Sequence, residues 1–419
     1  MKKINIFLIF FVLFFLNART LRCAKTASIK ENAIFVSPDG DDWGGDGSIE
    51  NPFATLNRAM QEAHAGNTVF LRGGVYDIDV RITTGGRWNK PVIVESYPGE
   101  WAIFDGAGHS HSSSNASFRA WGNWIIYRNF EVKNSPQDGF YINGASHIVV
   151  ENIVVHNCYY AGFEVENGAS HVLIVNCDSY ENFDSDSLGE HADGFGMKFD
   201  VGKGNILLNC RAWNNSDDGF DMWEANNRVE ISHCYSWGNG FDRWNVGDDF
   251  SGDGNGFKLG PGGHLIHHCM AWNNARRGFD YNDATDPIEV YNNTSYQNPV
   301  GFKFGNAPHI LKNNLSYRDQ NNYIGGEVVQ QNNSWNLGIF PVEEDFITLD
   351  DSVLKGQRRA DGSIPYSDFL RQSISSPFLD AGVYVGLPYL GHAPDVGAVE
   401  DVLFLSLPIM QNGELSSVF

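Results

Sequence analysis

Short apolar segments alternate with polar turns along most of the chain. Segments such as Trp124–Tyr127 and His147–Val150 are rich in β-branched and aromatic residues, which is typical of short strands. Asparagine-rich stretches such as Asn214–Asn215 and Asn273–Asn274 follow strands of this kind. Between these segments no apolar pattern of helical spacing extends over ten or more residues. The pattern therefore predicts many short strands joined by turns.

Gly-Phe dipeptides recur in register through the middle of the chain. Their separations are 23, 32, 25, 37, 22 and 23 residues, for dipeptides that begin at Gly139, Gly162, Gly194, Gly219, Gly256, Gly278 and Gly301. A period near 22–25 residues with two longer insertions indicates a solenoid of similar coils. Because the coils consist of strands, the predicted fold is all-β, a right-handed parallel β-helix.

Two further columns keep the phase of this repeat. Five cysteines are predicted to stack inside the coils as packing thiols, with disulfides between adjacent coils as the alternative: Cys158, Cys177, Cys210, Cys234 and Cys269. An aromatic column follows at Tyr180, Trp213, Trp237 and Trp272 and is predicted to continue through Tyr296, Tyr317 and Trp335. The asparagine columns are interpreted as side-chain ladders and left-handed turn residues.

The two ends of the repeat differ from its middle, as the ends of a solenoid must. Residues 52–63 have apolar positions at helical spacing, which predicts a short amphipathic helix that caps the N-terminal end. After about residue 340 the repeat fades, so we expect an irregular C-terminal cap. We expect a single β-helix catalytic domain over residues 33–404 and a tail over 405–419.

The N-terminal residues resemble a signal peptide. The short basic start Met1–Lys3 is followed by an apolar run from Ile6 to Leu16 that is too short to span a bilayer. The sequence therefore predicts a signal peptide within residues 1–27, whose cleavage site stays open. We expect a secreted, extracellular monomer without membrane contact after cleavage.

The formal net charge is −22, which argues against nucleic acid as a partner. A polyanionic ligand would also be repelled by this charge, unless a divalent cation and local basic residues offset it. The repeat contains candidate residues both for a divalent cation site and for local basic groups.

Four aspartates are predicted to converge on two adjacent coils. Asp193 and Asp218 each precede a Gly-Phe dipeptide directly, so they occupy one column, while Asp217 and Asp221 lie in the same turn and strand as Asp218. Two coil spacings are about 10 Å, which places four carboxylates in one small region. Such a group would repel itself unless a hard cation such as Ca²⁺ bound it, although aspartates of this kind also cap turns. Four aspartates in register favour calcium binding over turn capping.

Lys258 occupies the column position that Asp221 holds one coil earlier, and Asp280 and Lys303 continue this column. A cation nearby disfavours the ammonium form of a lysine, and a neutral lysine is a competent general base. The alternative interpretation is an ion pair of Lys258 with Asp221 or Asp280. A lysine base would also predict an alkaline pH optimum.

Four basic residues are candidates for binding the carboxylates of a substrate. Arg276 and Arg277 directly precede Gly278, and Lys303 extends the column of Lys258. Arg243 lies in the insertion before Gly256 and is a weaker candidate.

The phrases ADGFGMKF, NNSDDGFD and GNGFKLG, in this order, resemble the pectate lyases of polysaccharide lyase family nine. The resemblance extends from FVSPDGDDWGGDGSIENPFATLNRAM to APDVGAVE and so covers nearly the whole chain after the signal peptide. It implies an endo-acting lyase that binds one Ca²⁺ through the residues that match its aspartates, here Asp193, Asp217, Asp218 and Asp221. The lysine that matches its base is Lys258.

The expected function is therefore calcium-dependent β-elimination on pectate (polygalacturonate), an acidic plant cell-wall polysaccharide. The same family includes rhamnogalacturonan lyases, so that polymer is the first alternative. A β-helix glycoside hydrolase would need a carboxylic acid pair and no metal. A noncatalytic carbohydrate-binding protein or adhesin on the same fold is the remaining alternative.

Overall fold

The structure is a computed structural model that describes residues 32–111 and 117–400. Three parallel sheets of 12, 10 and 10 strands run along one solenoid, and each coil contributes one strand to each sheet through most of its length. This architecture confirms the predicted right-handed parallel β-helix. The predicted signal peptide and the tail over 405–419 lie outside the described residues. Within the part that the structure describes, no helix combines the length and apolarity needed to cross a membrane.

Side chains of the first sheet alternate between the core and the outer face, as strand geometry requires. In the strand Val92–Ser96 the first, third and fifth residues are buried and the others are partly exposed. The strands of this sheet are β1 (Ala33–Val36), β2 (Thr68–Leu71), β5 (Val92–Ser96), β8 (Ile125–Arg128), β11 (Ser146–Glu151), β14 (Ser170–Val175), β17 (Asn205–Leu208), β20 (Val229–Ser232), β23 (Leu265–His267), β26 (Glu289–Tyr291), β29 (Ile310–Lys312) and β32 (Val329–Gln331).

The second sheet carries the aromatic column on its outer face. Its strands are β3 (Gly74–Asp77), β6 (Ala102–Asp105), β9 (Phe130–Lys133), β12 (Val154–His156), β15 (Asp178–Tyr180), β18 (Arg211–Trp213), β21 (Tyr235–Trp237), β24 (Met270–Trp272), β27 (Thr294–Tyr296) and β30 (Leu315–Tyr317). Trp213 and Trp237 stack with ring centroids 4.9 Å apart, and their neighbours continue the stack. The predicted extension to Trp335 is wrong. Trp335 lies in a short 3-10 helix and packs against Phe302, while Phe346 covers Tyr317.

The third sheet buries the phenylalanines of the Gly-Phe repeat. Its strands are β4 (Val80–Ile82), β7 (Phe118–Ala120), β10 (Phe140–Asn143), β13 (Phe163–Glu166), β16 (Phe195–Met197), β19 (Phe220–Asp221), β22 (Asn255–Lys258), β25 (Arg277–Asp280), β28 (Val300–Phe304) and β31 (Asn321–Ile324). Successive rings stack, with 4.9 Å between Phe195 and Phe220 and 4.7 Å between Phe220 and Phe257. The preceding glycine is required by packing, because a Cβ at Gly219 would lie 2.1 Å from Ser236 Oγ.

The cysteine and asparagine columns are ladders. The five repeat cysteines are buried and form no disulfide, which confirms the packing thiols. Asparagines on consecutive coils donate to one another through their amides, for example Asn215 to Asn239 at 3.0 Å and Asn239 to Asn274 at 2.9 Å. Many other asparagines, such as Asn214 (φ 58°), hold the left-handed turns. Each coil is thus fixed to the next through its turns as well as its strands.

The predicted N-terminal helix is present but shorter, since α1 runs over Leu56–Glu62. Thr55 is its N-cap and accepts a hydrogen bond from Arg58 N, and the buried face closes the end of the core. The C-terminal segment is irregular, as predicted, and two short 3-10 helices occur at Ser334–Asn336 and Glu343–Asp345. It packs back along the outer face of the second sheet rather than only over the end of the solenoid.

Candidate metal and catalytic site

Three consecutive strands of the third sheet, β16, β19 and β22, bring the sequence motifs together. Gly196 pairs with Asp221, and Asp221 pairs with Lys258. Asp280 and then Lys303 follow in the same register on β25 and β28. The predicted column is therefore observed residue by residue.

The aspartates form a cluster on the outer face of these strands and in the turns before them. Carboxylate oxygens of Asp193, Asp218 and Asp221 all lie within 4.8 Å of one another. A second group with the same limit consists of Asp217, Asp218 and Asp253. Asp218 belongs to both groups, so the five residues form one continuous arrangement, called the carboxylate nest below. Four of them are buried, and Asp253 is partly exposed.

Backbone donors fix several of the nest oxygens. Asp218 N donates to Asp193 Oδ1 at 3.0 Å, and Asp253 N donates to Asp217 Oδ1 at 2.6 Å. Asp218 Oδ1 accepts from the backbone N of Asn255 at 2.6 Å. In contrast, no backbone donor among the described residues holds the buried Asp218 Oδ2, which faces the amine of Lys258. Turn capping thus accounts for some of the carboxylate oxygens, whereas other carboxylate oxygens face into the nest.

Lys258 reaches into the nest. Its Nζ lies 3.2 Å from Asp218 Oδ2, 3.4 Å from Asp253 Oδ2 and 3.6 Å from Asp221 Oδ2. Asp280, the other partner considered from the sequence, is engaged by Arg277 of its own strand and by Lys303 of the following coil. Arg277 Nη1 donates to Asp280 Oδ2 at 2.6 Å, and Lys303 Nζ lies 3.5 Å from Asp280 Oδ1.

A second lysine enters the nest from the opposite side. Lys198 is buried, forms an ion pair with Asp193, and lies 3.2 Å from Asp221 Oδ2. Asp221 therefore stands between two ammonium groups, one from the coil before and one from the coil after. Glu164, buried on the next coil towards the N-terminus, also attracts Lys198.

Burial and mutual repulsion shift the titration of the nest. Burial, with added repulsion from Asp221 and Asp193, raises the pKa of Asp218 to about 7 against the attraction of Lys258. Burial and then the charge of Asp218 raise the pKa of Asp217 well above its ordinary value. Burial disfavours the ammonium form of Lys258, but the attraction of Asp218 and Asp221 outweighs it and raises the pKa of Lys258. The two lysines do not neutralise five carboxylates.

The nest fits a hard divalent cation. Its donors are all carboxylate oxygens, which Ca²⁺ prefers, and the five carboxylates outnumber the two ammonium groups that contact them. The residues that could hold the cation are the four predicted aspartates together with Asp253.

Comparison with known proteins gives the family. The model of the Pel9A-like right-handed β-helix region matches residues 34–331. The chain belongs to this family. Pectate lyase L of Dickeya chrysanthemi is 33% identical over 396 residues, with 90% of this chain and 92% of that protein covered. Pectate lyase PEL9 of Emericella nidulans is 36% identical over 378 residues, with 80% of this chain and 91% of that protein covered.

Solved structures agree. The crystal structure of pectate lyase Pel9A matches with a TM-score of 0.80 and 32% identity, covering 88% of this chain and 96% of that one. A rhamnogalacturonan lyase matches with a TM-score of 0.71 and 26% identity, covering 82% and 97%. This Pel9A-like protein is therefore an enzyme, a polysaccharide lyase of the pectate lyase type. The hydrolase and the noncatalytic adhesin considered from the sequence are not supported.

Three of the four predicted basic residues of this lyase lie on the C-terminal side of Lys258. Arg276 forms an ion pair with Asp253, which in turn contacts Lys258. Arg277 and Lys303 both contact the buried Asp280. These residues form a basic border that is continuous with the nest.

Arg243 lies elsewhere. It lines a groove of about 400 Å³ on the second sheet, together with Trp213, Trp237, Phe241 and Lys355 among others. Its guanidinium donates a hydrogen bond to the carbonyl oxygen of Gly238 at 3.4 Å. The structure therefore does not bring Arg243 to the nest.

Sequence reasoning missed Asp253 and Lys198. Asp253 lies in the insertion of the 37-residue coil, where the spacing of the repeat gives no register. Lys198 lies inside the motif that contains Asp193, five residues after it, and the inward Phe195 and Met197 direct it to the outer face, a signal that the sequence reasoning did not use.

Proposed function

We propose that this protein cleaves pectate (polygalacturonate) by calcium-dependent β-elimination, with Lys258 as the general base. The observation that carries the proposal is the position of the Lys258 amine, 3.2 Å from Asp218 Oδ2 and 3.6 Å from Asp221 Oδ2. A proton acceptor thus stands directly beside the place where a cation and a substrate carboxylate would meet. The relatives named pectate lyase support the choice of polymer.

Asp193, Asp217, Asp218 and Asp221 are the proposed ligands, and Asp253 extends them on the side of Lys258. A bound Ca²⁺ would hold the carboxylate of a uronate unit and withdraw charge from it, which acidifies the proton on C5. The chain itself supplies the fixed oxygens, because backbone donors hold Asp193 and Asp217 in place.

Lys258 accepts the C5 proton in its neutral form. The electron pair of the C5–H bond becomes the C4–C5 double bond, the bond from C4 to the glycosidic oxygen breaks, and that oxygen leaves with a proton from water. The nest carboxylates oppose this role since they raise the pKa of Lys258, and a divalent cation offsets their charge. The neutral fraction of Lys258 still grows with pH, so we expect the rate to rise into the alkaline range.

The basic border is proposed to bind the carboxylates of neighbouring uronate units. Arg276 is nearly half exposed and Lys303 more than a quarter, so both can reach a polymer that lies along the third sheet. Guanidinium groups suit carboxylates because two N–H groups can donate to one carboxylate.

Rhamnogalacturonan is the second candidate substrate. It is favoured by one specific observation, the match to a rhamnogalacturonan lyase over 97% of that chain. The chemistry at the nest would be the same, and the polymers would differ in how they contact the border.

The test is ultraviolet absorbance of the unsaturated product on polygalacturonate and rhamnogalacturonan, with added calcium and with a chelator. We expect turnover of polygalacturonate that the chelator abolishes and that Lys258→Ala lowers by at least about a thousandfold, as loss of a general base does. Lys312→Ala, on the first sheet, is the matched control and should retain wild-type turnover. Full activity with the chelator present would overturn the calcium requirement, and full activity of Lys258→Ala would overturn the base.

Export is part of the proposal. It is supported by the basic start and the apolar run from Ile6 to Leu16. N-terminal sequencing of protein recovered from the culture medium should find a mature chain that begins near residue 28, whereas an intact Met1 inside the cell would contradict it.

A further inference from the structure

Two exposed aromatic side chains stand beside the carboxylate nest. Trp223 follows β19 and is 43% exposed, and Phe199 follows β16 and is 38% exposed. Between Asp221 and Trp223 lies Met222, which is buried in the core, and Trp223 stands in the turn that follows β19. Two residues of chain span at most about 7 Å, so the backbone of Trp223 lies within that distance of Asp221, a nest residue.

The position of Trp223 is tied to the nest. Its backbone N donates to Asp221 Oδ1 at 2.9 Å, so a nest carboxylate fixes the start of this turn. On the next coil the neighbour of Trp223 is Gly260, where a Cβ would lie 2.4 Å from the carbonyl oxygen of Met222. The close backbone approach thus requires a glycine, and no side chain from that position covers the indole.

Phe199 is held in an unfavourable backbone conformation. Its φ is 48°, in the left-handed region that bulky residues rarely adopt and that asparagine fills at most such turns of this solenoid. An asparagine here would relieve the strain, yet the chain keeps an aromatic ring that is partly exposed to water. The ring meets Trp223 edge to face, with centroids 5.3 Å apart at 78°, and so buttresses the indole.

We propose that Trp223, supported by Phe199, is a stacking subsite for a pyranose ring of the acidic polysaccharide, next to the unit whose carboxylate binds at the nest. An uncharged aromatic surface contacts the apolar face of a sugar without adding to the negative charge of the site. The inference rests on the proposed function, since the ligand is the same polymer. Continuity with the nest selects a sugar as the occupant rather than an unrelated protein.

The test compares Trp223→Ala and Trp223→Phe with wild type in steady-state kinetics on polygalacturonate, and measures calcium affinity by calorimetry. We expect Trp223→Ala to raise KM about tenfold while kcat changes less than about threefold, the size of effect that one aromatic contact supplies. Trp223→Phe should restore most of the loss. Trp43→Ala is the control, since Trp43 is 99% exposed near the N-terminal end and should have wild-type kinetics.

The outcomes separate the inference from the proposed function. Wild-type KM in Trp223→Ala, with active wild-type enzyme, would refute the stacking subsite and leave the lyase assignment intact. Loss of calcium affinity together with kcat would show that Trp223 only supports the nest, which also refutes the subsite. An inactive wild type would refute the proposed function. Calorimetry with an oligogalacturonide would then test the subsite on its own. Binding that is weaker in Trp223→Ala but not in Trp43→Ala would support the subsite, and equal binding by both variants would refute the subsite.

Discussion

Replacing Asp218 by asparagine removes one carboxylate from the nest with almost no change of shape. Asp218 is shared by both groups of converging oxygens, so the change affects the whole arrangement. Its Oδ1 accepts from Asn255 N at 2.6 Å, and an amide oxygen can accept the same bond. The fold should therefore persist while the charge is lost.

The magnitude follows from the charges around the site. The nest contains five carboxylates, and two ammonium groups, those of Lys198 and Lys258, contact them, so Asp218→Asn changes the formal charge from −3 to −2. A unit charge about 4 Å from another contributes about 4 kcal/mol at an effective dielectric constant near 20, and the two charges of Ca²⁺ double this attraction. Because about 1.4 kcal/mol is a tenfold change in affinity, and the lost attraction is partly offset by the smaller cost of desolvating an amide, we expect calcium to bind at least about a thousandfold more weakly.

Isothermal titration of chelator-treated protein with Ca²⁺ measures this difference directly. Asp280→Asn is the matched control, since Asp280 is buried in the same column but contacts Arg277 and Lys303 instead of the nest. We expect the control to bind calcium within about tenfold of wild type, because its charge is separated by a further coil and is already paired. Wild-type calcium affinity in Asp218→Asn, or equal losses in both variants, would refute the reasoning.

Three further predictions concern the solenoid. Asp178 accepts hydrogen bonds from Arg211 and Arg358 in a buried triad, so Asp178→Asn should lower the free energy of unfolding by about 3–5 kcal/mol in a denaturant titration. Burial raises the pKa of Asp178, but attraction by both arginines outweighs it and holds the pKa below 3.8. The stability gap between wild type and Asp178→Asn should therefore be full above about pH 4 and shrink as the pH falls through the folded pKa. Phe220→Ala should cost about 3–5 kcal/mol and Phe220→Leu less, because alanine leaves a cavity in the phenylalanine stack; equal costs would contradict this reading.

The coil register could be predicted from the sequence because the repeat is carried by residues that cannot be exchanged freely. Gly219 must lack a Cβ to fit against Ser236, and Phe220 must stack on its neighbours. Once these positions are aligned, Asp218 and Lys258 follow at fixed offsets. For that reason the four aspartates and the lysine were brought together as predicted.

Features that depend on an insertion or on a side-chain direction could not be predicted in this way. Asp253 returns to the nest from an insertion of the 37-residue coil, where no repeat spacing applies, and its backbone N reaches Asp217 at 2.6 Å. Arg243 belongs to the same insertion and ends in a groove on the second sheet. Trp335 is not part of the aromatic column, because Phe346 from the irregular C-terminal segment packs on Tyr317, where the next ring of the column would lie.

The positions of the side chains in the site are fixed by the stacked core residues beneath them. Phe257 stacks between Phe220 and Phe279 at 4.7 and 5.0 Å, and the next residue after Phe257 is Lys258. Since successive side chains of a strand point to opposite faces, the inner stack fixes the height of each outer side chain along the solenoid to within one coil spacing. Mutual repulsion in the nest would otherwise spread Asp221 and its neighbours apart, and the stacked rings resist that displacement. Outer residues of this sheet can therefore be substituted without changing the inner residues that position the site.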